Sequence, residues 1–182
     1  MSTVLVPVYS TGITLNEIPD KVAFFIELGN CKAGCKGCHS PHLHKPVRSM
    51  TLEDLCKLAN QAVDIGANAI VIMGGTTNEL SLDILHQLIN ALAEIAPVGL
   101  YSGSDDDVLN FKVGNSTNLT WIKTGSYQEA KGGLLSPDTN QRFYKKEYEY
   151  VVDHSLVSTR PIWHDITERF YNEKTFRGSI TG

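Results

Sequence analysis

Val22-Ala-Phe-Phe-Ile-Glu-Leu28, followed almost at once by Cys31-Lys-Ala-Gly-Cys35-Lys-Gly-Cys38-His39, is the stretch on which the fold turns. The first part is nearly continuous in apolar, aromatic and β-branched residues and has the length of a strand. That pattern predicts a strand covered on both faces, as in a parallel sheet. The second part places three cysteines within eight residues. Gly34 and Gly37 between them permit tight turns that can bring three sulfurs onto one small group. In open α/β sheets, ligands sit where the strands end, so a cysteine loop directly after a buried strand is a candidate site.

Downstream, Thr51-Leu-Glu-Asp54 has the form of a capping box with Asp in place of Glu. Leu52, Leu55, Leu58, Ala59, Ala62 and Val63 then recur at helical spacing up to Gly66. Ala69-Ile-Val-Ile-Met73 predicts a second buried strand, ended by Gly74-Gly75. A helix is expected from about Ser81, with Leu82, Leu85, Leu88, Ile89 and Leu92 on one face. Pro97 to Tyr101 predicts a third strand, Asp105 to Phe111 a short helix, and Leu119 to Ile122 a fourth strand. Alternating strands and helices predict a mostly parallel sheet with right-handed crossovers.

From about residue 125 this order is lost. Lys131 to Asn140 reads as a loop, and Arg142 to Val152 as one or two strands. With no repeat or linker in view, 1–182 is one domain, with a core at about 20–125 and a loop-and-strand region at about 126–182. A closed eight-unit β/α barrel takes about 250 residues; four to six units and an open partial barrel are expected here.

The chain has 182 residues, 42% of them hydrophobic and 20% charged, with a formal net charge of −4. That balance suits a globular protein and offers no basic excess for nucleic acid or an anionic membrane. The N-terminus lacks a charged segment leading into a long apolar one, and no apolar run has the length of a membrane span. A cytoplasmic location is therefore expected. Four cysteines, three of them clustered, suit metal ligation in a reducing compartment better than a disulfide framework. Cys56 falls on the predicted helix, one step from its apolar stripe, and reads as a small core residue.

Several readings of the loop compete. Cys31, Cys35 and Cys38 could hold a [4Fe–4S] cluster with one iron left open; Lys32 and Lys36 would offset its negative charge. They could instead hold zinc, with a fourth ligand from His39, His42 or His44. Cys35-Lys-Gly-Cys38-His39 also satisfies the c-type haem pattern, although no export signal accompanies it and Cys31 is left without a role. Simple burial of three thiols suits a Lys- and Gly-rich loop poorly.

The Cys-x3-Cys-x2-Cys loop after the first buried strand resembles the signature of the radical S-adenosylmethionine (radical-SAM) superfamily. Gly37 stands where many members carry an aromatic residue. Met73-Gly-Gly-Thr-Thr77 resembles the superfamily's Gly-Gly-Glu-type segment, with Thr76 in the acidic position. Leu100-Tyr-Ser-Gly103, Gly125-Ser-Tyr127 and Leu134-Leu-Ser-Pro-Asp-Thr-Asn-Gln-Arg142 are similar to segments of the anaerobic ribonucleoside-triphosphate reductase-activating proteins. The resemblance spans roughly residues 22 to 144, with His39 after the third cysteine and Lys123 before the glycine as departures.

This resemblance implies an open partial (β/α) barrel of the radical-SAM type. It implies a [4Fe–4S] cluster on Cys31, Cys35 and Cys38, which are the catalytic and metal residues. S-adenosylmethionine would lie near Gly37, His39, Gly74, Gly75, Thr76, Tyr101 and Ser102. The implied reaction is one-electron cleavage of S-adenosylmethionine to methionine and a 5′-deoxyadenosyl radical, which takes hydrogen from a glycine of the partner reductase. Asn140, Gln141 and Arg142 would hold or order the partner's loop, and a low-potential donor such as a flavodoxin would supply the electron. The alternatives are another radical-SAM enzyme, acting on a different glycyl-radical partner or a small molecule, and a zinc-binding interaction module.

Overall fold

The computed structural model describes residues 3–153 and 156–172; the last ten residues of the expected C-terminal region lie outside them. In chain order the elements are β1 (Leu5–Val6), β2 (Val8–Thr14), β3 (Ala23–Leu28), β4 (Met50–Thr51), α1 (Leu52–Asp64), β5 (Ala69–Met73), α2 (Leu82–Ala93), β6 (Val98–Tyr101), α3 (Asp107–Ser116), β7 (Leu119–Thr124), β8 (Arg142–Asp153) and β9 (Leu156–Asp165). Short 3-10 turns occupy Pro41–His44 and Thr167–Phe170.

The main sheet runs β2-β3-β5-β6-β7-β8-β9. Its four central strands, β3, β5, β6 and β7, are parallel, as expected from their apolar runs. The flanks differ from expectation: β2 pairs antiparallel with β3, and β8 and β9 form an antiparallel hairpin beside β7. Three β/α crossovers form, fewer than the four to six expected, because the chain turns back after β7 instead of adding another helix. Among the described residues the sheet stays open, with β2 and β9 as its edges, and no barrel closes.

The helices form where their caps and stripes predict. Thr51 Oγ1 accepts from the Asp54 backbone N–H at 3.1 Å and Ser81 Oγ from that of Ile84 at 3.3 Å, each satisfying a free N–H of a first turn. On α2, Leu85, Leu88, Ile89 and Leu92 repeat at i, i+3, i+4 and i+7 and are completely buried. Each such side chain contributes about 1.5–3 kcal/mol through burial. The short helix expected at Asp105 to Phe111 begins at Asp107 and continues to Ser116. Gly114 on it admits Trp163, whose ring would lie 2.6 Å from an added Cβ. Cys56 lies half-buried against the core cluster, as expected, and burial raises its thiol pKa.

The three helices and the helix-side residues of the strands make the larger core. The opposite face carries a smaller one of Ile18, Ala23, Ala69, Val71, Trp121 and Phe143. Gly99 leaves room there for Ile18, whose Cδ1 would be 3.1 Å from an added Cβ.

Candidate functional site

The last inward-facing positions of the four parallel strands line up. Glu27 on β3, Met73 on β5, Tyr101 on β6 and Lys123 on β7 are successive cross-strand partners. This row lies at the C-terminal ends of the strands, where the cysteine loop leaves β3 and the Gly74-Gly75 turn leaves β5.

These two segments are fastened to each other by Asn78, whose side chain is buried. Its Nδ2 donates to the Leu28 and Gly29 carbonyls, both at 2.8 Å, and its Oδ1 accepts from the Gly75 N–H at 2.7 Å. Both glycines have positive φ, 113° at Gly74 and 110° at Gly75. A Cβ on Gly74 would meet Asn78 Oδ1 at 2.5 Å, so the side chain that locks the loops requires a glycine beside it. One step further, the Lys32 N–H donates to the Thr77 carbonyl at 2.7 Å, and Cys31 Sγ lies 3.7 Å from Thr77 Oγ1.

Cys31, Cys35 and Cys38 are free thiols, each half-buried. The Cys31 N–H donates to the Leu43 carbonyl at 2.9 Å, and the Ser40 N–H points at Cys38 Sγ at 3.4 Å. Gly34 and Gly37 take φ of 63° and 69°, the left-handed conformation that the tight turns needed. Among the described residues no three His, Cys, Asp or Glu side chains converge as a ready metal group. The donor set nonetheless suits an iron–sulfur cluster: three unpaired thiols on a short loop anchored at Cys31. Thiols bind metal as thiolates, so ligation by this loop would be coupled to deprotonation.

The three histidines face other groups. His39 is exposed and its ring lies 4.4 Å from that of Tyr127, centroid to centroid. His42 Nε2 is 3.7 Å from Glu27 Oε1, and its ring packs beside Tyr9. His44 Nδ1 is 2.9 Å from the Cys31 carbonyl. None of them joins the cysteines in a ligand set. His39 is exposed, and the other two are half-buried against neighbours. Lys32 pairs with Glu79 at 3.3 Å.

The other predicted cofactor residues fall beside the same strand ends with their polar atoms engaged. Thr76 Oγ1 is 2.8 Å from Ser102 Oγ, which donates to Asn110 Oδ1 at 2.6 Å. Ser102 is completely buried and braces the loop after β6. The Tyr101 hydroxyl donates to the Glu17 carbonyl at 2.6 Å, and burial, with Glu17 nearby, holds it well above the ordinary phenol range. Gly37 leaves room for Glu129, whose Cδ would be 2.7 Å from an added Cβ.

Lys123 was noted in the sequence only as a departure from a pattern. It is buried in the terminal row, and Nζ donates to the Gly125 carbonyl at 3.0 Å. Burial lowers its pKa to about 8, against the opposing influence of Cys35, Asp105 and Glu17. Gly125 is also where two sequence segments meet. Gln141, buried, donates from Nε2 to its carbonyl at 3.3 Å, and Asn140 Nδ2 donates to the Ser126 carbonyl at 2.9 Å. Arg142 Nη1 bonds the carbonyls of Thr139 and Gln141 at 2.7 and 2.9 Å, so its fork braces its own loop. Asn140 Oδ1 is different: it is buried and has no hydrogen-bond partner.

Asn78, Glu27 and Lys123 carried no functional signal in the sequence beyond their positions near strand ends. The one available hint was Gly-Gly-x-x-Asn at residues 74–78, since Asn bonds nearby backbone readily.

No family model matches the chain, and no solved structure matches it. Over 76 residues, 41% of the chain, it is 38% identical to 7-carboxy-7-deazaguanine synthase of Prochlorococcus marinus, covering 31% of that protein. Over 79 residues, also 41% of the chain, it is 32% identical to ribosomal protein uS12 methylthiotransferase RimO of Gloeothece citriformis, covering 18% of it. The chain thus spans less than a third of either curated relative. Both relatives are radical-SAM enzymes, and the partial likeness supports a radical-SAM function and an enzyme. It does not point to a glycyl-radical activase.

Proposed function

We propose that this chain is a radical-SAM activase. It holds one [4Fe–4S] cluster on Cys31, Cys35 and Cys38, cleaves S-adenosylmethionine, and installs a glycyl radical on an anaerobic ribonucleoside-triphosphate reductase. The observation that carries the reading is the three-thiol loop at the C-terminal end of the first central parallel strand, locked by Asn78 to the Gly74-Gly75 turn. When bound, the cluster and S-adenosylmethionine supply the electron transfer and the alkyl radical. The protein's own part is to position and enclose. Gly74 and Gly75 make room for Asn78 and Leu85 and so let the turn sit against the cysteine loop, while Met73 and Tyr101 end the neighbouring strands. His39, next to the third cysteine in the chain, packs its ring beside that of Tyr127. A low-potential donor such as a flavodoxin fits as the electron source.

The activase assignment draws on the meeting of Gly125-Ser126 with Asn140-Gln141, two segments similar to those of activating proteins. Of the three residues expected to hold or order the partner's loop, Asn140 ties its segment to the Ser126 carbonyl and keeps a buried acceptor without a partner. A second reading, a radical-SAM enzyme with a small-molecule substrate, is favoured by the likeness to 7-carboxy-7-deazaguanine synthase.

Anaerobic reconstitution tests the reading. Cluster-loaded protein should release 5′-deoxyadenosine from S-adenosylmethionine under reduction, and Cys→Ala at 31, 35 or 38 should abolish it. A colourless protein holding stoichiometric zinc after anaerobic purification would refute it. For the activase assignment, electron paramagnetic resonance of the partner should show a glycyl radical that Asn140→Ala diminishes while cluster content is unchanged.

A further inference from the structure

The three sulfurs of the cysteine loop have different neighbours. The Ser40 N–H points at Cys38 Sγ at 3.4 Å. Cys35 lies within electrostatic reach of the Lys123 ammonium. Cys31 Sγ faces a side-chain hydroxyl, Thr77 Oγ1, at 3.7 Å, a separation that the large sulfur atom allows.

Thr77 is fixed there by its surroundings. Its carbonyl accepts from the Lys32 N–H at 2.7 Å. The next residue, Asn78, is buried and bonded to the end of β3 and to the Gly75 N–H. The β-branched side chain has few rotamers. Gly103, after β6, leaves room for it: an added Cβ would lie 3.3 Å from Thr77 Oγ1 and 3.7 Å from its methyl. The neighbouring Thr76 hydroxyl is taken up by Ser102 at 2.8 Å. Among the described residues, the Thr77 hydroxyl has no hydrogen-bond partner besides Cys31.

Between a free thiol and a hydroxyl, either atom can donate. A cysteine that ligates metal does so as a thiolate and has no proton left. Only the Thr77 O–H can then donate, and Cys31 Sγ accepts. A hydrogen bond to a charged acceptor is about twice as strong as one between neutral groups. It favours whichever state places more negative charge on the sulfur. One electron taken from an external low-potential donor adds negative charge to a cluster and its thiolates. Hydrogen bonds to the sulfurs are among the features that set cluster potentials.

We infer that the Thr77 hydroxyl donates to the Cys31 sulfur and thereby makes a cluster held on this loop easier to reduce. Thr77 acts through Cys31, without a contact to substrate. The inference rests on the [4Fe–4S] reading of the cysteine loop, and it is independent of which partner or substrate the radical serves.

Two substitutions separate the hydroxyl from the shape of the side chain. Thr77→Val keeps the branched shape and removes the donor. Thr77→Ser keeps the donor and removes the methyl. Each protein is loaded anaerobically, and its iron and sulfide are counted. The midpoint potential is then read by electron paramagnetic resonance during a reductive titration without S-adenosylmethionine, so that an altered cofactor contact has no part in the result. Thr77→Val should bind native amounts of iron and lower the potential, making reduction about tenfold less favourable, about 59 mV for one electron. Thr77→Ser should keep the native potential. If Thr77→Val holds no cluster, Thr77→Ala, which also lacks the donor, is read in its place; loss of the cluster from both makes the role structural and overturns the inference. A native potential in the variant lacking the donor overturns the inference alone, as does a Thr77→Ser shift equal to that of Thr77→Val. A native chain that takes up no iron–sulfur cluster refutes the proposed function along with it.

Discussion

The two faces of the central strands are made from alternate residues of the same short segments, and they differ most at one end. On the helix side, Ile26 and Leu28, Ile70 and Ile72, and Val98 and Leu100 are completely buried and apolar. On the other side the strands begin equally apolar, with Ala23, Ala69, Val71 and Trp121. Their last row changes to Glu27, Met73, Tyr101 and Lys123. The period-two pleat lets a strand build core with one set of residues and a site with the other. The polar change is confined to the row beside the loops, where water, ligand and neighbouring loops can satisfy it.

If the helix side supplies most of the stability, Leu100→Ala should cost the most, about 2–5 kcal/mol for a fully buried leucine. Urea unfolding measures it, and a cost below about 1 kcal/mol would break the contrast between the faces. Asn78→Ala should come next. It leaves the Leu28 and Gly29 carbonyls and the Gly75 N–H without their partner, costing about 1–3 kcal/mol on the scale of unsatisfied buried groups. Because those bonds hold the cysteine loop to the neighbouring turn, iron uptake should fall as well. Normal iron content in that variant would show that the lock serves folding alone.

A smaller, pH-dependent effect compares the faces through two lysines. Lys123 on the open side and Lys146 on the helix side are both lowered from 10.5 to about 8, chiefly by burial. Between those values the unfolded chain binds more protons than the folded one, so these groups make stability rise with pH from about 8 toward 10.5. Below that window the cost of burying the charged form is fully present. Lys123→Met and Lys146→Met should each remove part of the rise, measured as melting temperature against pH. Equal slopes in native and variant proteins would show that neither lysine loses its proton on folding. Least of all, Cys56→Ala should shift stability by roughly 1 kcal/mol or less and leave iron content whole; loss of iron would make Cys56 a ligand.

By itself the sequence determined what depends on local period and local chemistry. Ala69–Met73 is a strand at its expected bounds because its run is apolar without interruption, and α1 and α2 start where Thr51 and Ser81 cap them. The three-cysteine spacing pointed to the candidate site without any knowledge of contacts. The edges were illegible. β2 reads Val-Tyr-Ser-Thr-Gly-Ile-Thr, too polar to declare itself, and becomes a strand by pairing with β3. The terminal row, the Asn78 lock and the meeting of Gln141 with Gly125 join residues far apart in the chain. Such pairings leave no periodic trace; they arise only when parallel packing brings the strand ends into register and buries polar groups that must then find partners.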